Sequence, residues 1–127
     1  MSGWRRYRGP KSDARVPRGT KYGAKAQTID GLRFASKLEA ARYQELVSME
    51  KAGVVNWFIR QPSFDLGGGV RYVADFLVVW TIPAKGASVT VEDCKGFETA
   101  VFRVKQKLLE ARYPRLRLTI LRKGDVR

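Results

Sequence analysis

Histidine is missing from all 127 residues, and cysteine occurs once, as Cys94. The first absence removes Ser-His and Cys-His triads, histidine zinc sites and nucleases whose general base is an imidazole. The second rules out an internal disulfide and fits a reducing, cytoplasmic setting. Acids are scarce too: 12 Asp and Glu stand against 25 Lys and Arg. No apolar run approaches bilayer length, and no signal peptide is visible. Any hydrolytic chemistry must therefore come from carboxylates, lysines and an oxygen-loving metal.

What is present points to a polyanion. A net charge of +13 and a pI near 10.4 create a field that attracts nucleic acid above all. An anionic membrane surface is the main competitor, and the lack of a spanning segment weakens it. The length suits one domain with one core, and an apolar content of 44% is ordinary for a globular chain.

Residues 1–27 carry Arg5, Arg6, Arg8, Lys11, Arg15, Arg18, Lys21 and Lys25 against Asp13, with Trp4, Tyr7 and Tyr22 interleaved and no sustained period. This reads as a flexible basic arm whose aromatics could stack on exposed bases, or as a solvated tail. Residues 28–127 make the folded domain. Ser36 opens a helix of about four turns, with apolar residues three and four apart and a stop at Gly53. Val54–Leu66 is β-prone and interrupted by Pro62, and Gly67-Gly68-Gly69 marks a turn. Arg71–Trp80 reads as the clearest buried strand, and Pro83–Gly86 turns it into the next, Ala87–Lys95. Thr99 caps a second helix reaching about Tyr113, whose stripe of Val101, Val104, Leu108 and Ala111, with Phe102 and Leu109 alongside, suits packing on a sheet. Leu116–Leu121 alternates as a last strand. The fold class is α/β, in the order α-β-β-β-α-β.

Alternation decides which side chains meet. Asp93 and Lys95 continue the face of Val89 and Val91, while Glu92 and Cys94 take the other. Asp75 shares a face with Val73 and Leu77, in the middle of an apolar strand. An unpaired charge there is costly. If these two strands pair, two carboxylates and an ammonium converge at the border of the core, and a divalent cation is the economical partner for such acids. Phosphodiester hydrolysis wants this set: Mg²⁺ held by carboxylates, with a lysine beside the attacking water.

Asp75, Asp93-Cys94-Lys95 and an upstream helical Glu39 in this element order resemble the PD-(D/E)XK nuclease core, a restriction-endonuclease-like fold with a mixed four-stranded sheet between helices. The segments Ser36-Lys37-Leu38-Glu39, Tyr72-Val73-Ala74-Asp75-Phe76-Leu77 and Val91-Glu92-Asp93-Cys94-Lys95-Gly96-Phe97 resemble those of phage endonuclease I-type Holliday junction resolvases. The stretch from Lys21 through Tyr113-Pro114 is also similar to a family of phage and prophage proteins of unassigned function. Ala74 stands where the motif usually has proline, and Asp93 is one methylene shorter than the usual Glu. The resemblance implies that Asp75, Asp93 and Glu39 ligate Mg²⁺ (Mn²⁺ substituting) with the Cys94 backbone carbonyl nearby. It implies that Lys95 acts on the nucleophilic water, and that the products are a 5′-phosphate and a 3′-hydroxyl.

Rival readings stand beside these. Ser36-x-x-Glu39 is also a capping box, in which Glu39 would return to the Ser36 amide. Asp75 could pair with Arg71 or Arg103. Glu92, adjacent to the motif acid, points away from Lys95 and is left out of the site. Arg103, Lys105 and Lys107 line DNA or form a solvated face. Three functions compete: a junction resolvase acting as a homodimer on branched DNA in recombination and repair, another replication or repair nuclease with the same site, and a non-catalytic basic nucleic-acid-binding protein.

Overall fold

The computed structural model describes residues 26–84 and 86–126. Arg5, Arg6, Arg8, Lys21 and Lys25, the expected nucleic-acid contacts of the arm, lie outside the described residues. The described residues open with a hairpin of Gln27–Ile29 (β1) and Leu32–Phe34 (β2), so that Gln27, assigned to the arm by its sequence, begins a strand. Its turn residues Asp30 and Gly31 both have positive φ, 52° and 74°, as a two-residue hairpin turn demands.

Helix α1 (Lys37–Lys51) starts where the Ser36 hydroxyl accepts the Glu39 amide at 3.1 Å. It ends in a left-handed Gly53, with Val54 and Gly53 amides donating to the Met49 and Glu50 carbonyls. The β-prone stretch that follows is two strands, Val55–Arg60 (β3) and Ser63–Gly67 (β4), parted at Gln61 and Pro62. The glycine run then turns β4 back into Val70–Val73 (β5), and the two form a separate small sheet.

The expected single strand from Arg71 to Trp80 is broken. Ala74 and Asp75 separate β5 from β6 (Phe76–Ala84). The break shifts the alternation: Tyr72 and Ala74 face one core, while Phe76 and Val78 face the other. Asp75 therefore does not sit mid-strand on a face shared with Val73. Strand β7 (Ala87–Cys94), helix α2 (Ala100–Arg112) and strand β8 (Arg117–Leu121) complete the chain.

The central sheet has the order β3-β6-β7-β8, antiparallel except for the parallel β7–β8 pair. With the β4–β5 hairpin as an insertion, α1, β3, β6, β7, α2 and β8 give the α-β-β-β-α-β order: a mixed four-stranded sheet in an α/β fold. On one face Phe34, Ala40, Leu46, Val55, Phe76 and Val78 are buried together; on the other, Tyr72, Ala74, Val91, Phe102 and Leu109. Among the described residues no helix is long and apolar enough to cross a membrane.

Helix α2 corrects one expectation. Val101, Val104 and Leu108 are 64%, 57% and 42% exposed, while Phe102 and Leu109 are buried. Burying the Phe102 ring, 6.1 Å from that of Tyr72, turns the aliphatic stripe outward.

Candidate active site

Asp75 occupies the break before β6 yet stays pinned between its neighbours. Its carbonyl accepts the Gln61 amide at 2.8 Å, and its amide donates to the Glu92 carbonyl at 3.1 Å. Its carboxylate Oδ2 accepts the Cys94 amide at 2.7 Å. Pairing of β6 with β7 thus delivers Asp75 to the end of the strand that carries Asp93. The alternative partner Arg71 instead donates to the Ser63 hydroxyl, and Arg103 is exposed on α2.

Asp93 is 2% exposed, with both oxygens engaged. Oδ1 lies 3.3 Å from Lys95 Nζ, and Oδ2 accepts the Tyr72 hydroxyl. The Lys95 ammonium also sits 4.7 Å from the Phe102 ring centroid, a cation–π contact that orients the amine. Burial first, then the hydrogen bond to Asp93, holds the Tyr72 hydroxyl above its ordinary pKa, so Tyr72 remains a donor.

Glu39 arrives from the first turn of α1. Its Oε2 accepts the Ala35 amide at 3.3 Å, so its side chain returns to the residue before the one a capping box would use. Oε1 lies 3.9 Å from Arg60, whose guanidinium stacks 4.2 Å from the Phe34 ring centroid. Burial is the largest influence on Glu39 and raises its pKa. Asp75 is pushed up to about 8, by burial first and then by the charges of Asp93 and Glu39.

Glu39, Asp75, Cys94 and Lys95 line a cavity of about 680 Å³ with Ala35, Leu38, Phe97 and Lys123 among its other walls. Asp93 stands behind Lys95 rather than in the cavity wall. Glu92, as alternation requires, faces the other way: it receives Arg42 Nε at 2.7 Å and Nη2 at 2.5 Å. This pair, with Glu45 2.9 Å from Arg42, ties α1 to β7 and so holds Glu39 relative to Asp93. Arg103 and Lys107 are exposed on α2 and Lys105 is half-buried; none lines the cavity.

The donor set can be weighed against a divalent cation. Asp93 and Glu39 raise the cost of ionising Asp75, and Asp93 that of ionising Glu39; three carboxylates, all hard oxygen donors, suit Mg²⁺, which would relieve that repulsion. As placed, among the described residues no three acidic or thiol side chains stand close enough to hold an ion. The fit is therefore one of donor chemistry, and side-chain adjustment would have to close the cage.

Fold and site together define a class: an α/β domain whose central antiparallel strands end in a carboxylate–lysine cluster faced by a helical glutamate. The chain belongs to the family described as Protein of unknown function (DUF1064), which matches residues 19–125. None of the curated proteins matches it.

Sequence reasoning missed Tyr72, Arg60 and the Arg42 clamp. Tyr72 was hidden by the shifted alternation at Ala74. Arg60 and Arg42 reach their acids across the tertiary fold and carry no local signal. Phe97 lay inside a quoted motif without a role.

Proposed function

We propose that this protein is a metal-dependent, structure-selective DNA endonuclease of the PD-(D/E)XK type, acting as a Holliday junction resolvase in recombination and repair. One observation carries the reading: Lys95 Nζ lies 3.3 Å from Asp93 Oδ1, with Asp75 beside them, at the edge of a cavity that Glu39 also lines. The three motif segments and the net charge of +13 support it.

Asp75, Asp93 and Glu39, with the Cys94 carbonyl, would hold Mg²⁺ or Mn²⁺. When bound, the ion neutralises phosphate charge and makes water a better nucleophile. Tyr72 keeps Asp93 turned toward Lys95. The Lys95 ammonium orients the attacking water and offsets the charge that builds on phosphorus. The new bond joins water oxygen to phosphorus, and the bond from phosphorus to O3′ breaks, leaving a 5′-phosphate and a 3′-hydroxyl. Two symmetric cuts in a four-way junction call for two sites, hence a homodimer. The setting is the cytoplasm, the host's if the protein is phage-encoded.

The test compares cleavage of a labelled four-way junction with that of linear duplex in Mg²⁺. Wild type should cut the junction selectively. Asp75→Asn and Lys95→Ala should lose at least 100-fold in rate, on the order of one transition-state contact, while still binding DNA. Undiminished cleavage by both variants contradicts the reading; equal cleavage of both substrates removes the resolvase and leaves a nuclease.

A further inference from the structure

The cavity is larger than a phosphate and a metal need, and much of its wall is apolar. Ala35, Leu38, Ala41, Phe97 and Val126 line it along with the acids and Lys95. Phe97 lies two residues beyond Lys95, and its side chain is 56% exposed although it borders the cavity. Between them Gly96 leaves space: a Cβ built there would meet nothing within 4 Å. Lys37 and Lys123, both exposed, also line it and supply positive charge.

The walls are tied together. The Lys95 amide donates to the Leu121 carbonyl at 2.9 Å, and Arg122 Nη2 meets Glu98 Oε2 at 3.0 Å. These two contacts join the loop carrying Phe97 to the segment carrying Lys123. A flat ring, an open gap and flanking ammonium groups beside a phosphate-cleaving cluster match one chemical unit: a nucleotide whose base has left the stack. Paired duplex keeps its bases stacked and cannot offer one without cost. A branch point can.

We propose that the cavity binds one unpaired nucleotide next to the scissile phosphate, with its base stacked on Phe97 and adjoining phosphates near Lys37 and Lys123. This rests on the nuclease reading and adds the basis of its selectivity: Phe97 is the residue that distinguishes branched DNA from duplex.

The experiment is a binding cycle in the full-length Asp75→Asn protein, so that cleavage does not intervene. Affinity is measured for a four-way junction, the same junction with an abasic residue at the branch nucleotide, and linear duplex. The three are compared with Phe97 intact, with Phe97→Ala and with Phe97→Trp. Phe97→Ala should weaken junction binding about 5- to 150-fold, the worth of one base–aromatic stack, and leave duplex binding within about twofold. Phe97→Trp should keep junction affinity. The abasic junction should bind as weakly as the Ala variant, with no further loss when both changes are combined. Equal loss on junction and duplex, or additive losses from the abasic site and Phe97→Ala, overturns the proposal. Melting temperatures of the variants check that each is folded. Wild-type cleavage is read separately, so the stacking proposal can fail while the nuclease reading survives, and the reverse.

Discussion

A carboxylate behaves differently when two others share its surroundings, and Asp75 has both burial and two acidic neighbours acting on it. Below about pH 4 folded and unfolded chains both hold its proton. Between there and about pH 8 the folded protein keeps a proton that the unfolded chain has released, so stability falls as pH rises through that window. Above it the loss is complete. Metal-free protein should therefore melt at a lower temperature at pH 8 than at pH 5, and Asp75→Asn should flatten that part of the dependence. Mg²⁺ should raise the melting temperature at pH 8 in wild type and much less in the variant. A wild-type pH slope that persists in Asp75→Asn would show that other groups govern it. Asp75, Asp93 and Lys95 draw notice in the sequence because charges beside apolar strand residues demand an explanation, whereas Glu39 enters only through the resemblance to the nuclease motif. Tyr72 was not legible, because its meeting with Asp93 depends on a break in the strand that alternation cannot foresee.

Element boundaries followed local chemistry closely, whereas element faces did not. Ser36 and Gly53 announce the ends of α1, and Thr99 caps α2 by accepting the Phe102 amide at 3.1 Å. The outward turn of Val101, Val104 and Leu108 is a tertiary outcome, decided by what Phe102 packs against. The hairpin inserted between β3 and β6 is likewise a tertiary outcome: its sequence is continuous in β character with its neighbours, and only Pro62 and the glycine run mark its limits. The Arg42–Glu92 clamp acts at this scale, since it joins a helix to the strand bearing Asp93 and Lys95. Arg42→Met leaves a buried carboxylate without its guanidinium and should cost about 3–5 kcal/mol in urea unfolding. Replacing both by apolar residues of similar size, Arg42→Met with Glu92→Met, should cost less than that. A loss under about 1 kcal/mol for Arg42→Met would mean that the pair is as weak as a surface ion pair.

At the scale of the molecule, charge and topology act together. In the proposed function, the net charge of +13 would draw in a polyanion, and the cavity lined by Glu39, Asp75 and Lys95 would receive its phosphate. Binding should weaken linearly in log K against log salt as counterions are released, with the same slope in wild type and Asp75→Asn, because that acid takes no part in neutralising phosphates. A salt-independent affinity would remove the electrostatic part of the account. The class of fold was readable from the order of elements. The pairing of β7 with β8 in parallel, and the cavity that α1 closes against the sheet end, came only from assembly of the whole.

A crystal of the full-length protein soaked in Mn²⁺ tests the central claim most directly. An anomalous peak bonded to a carboxylate oxygen of Asp75 and to one from Asp93 or Glu39, within about 2.3 Å, is the predicted result. A map with no peak beside Asp75, at a Mn²⁺ concentration that supports DNA cleavage in solution, would contradict it.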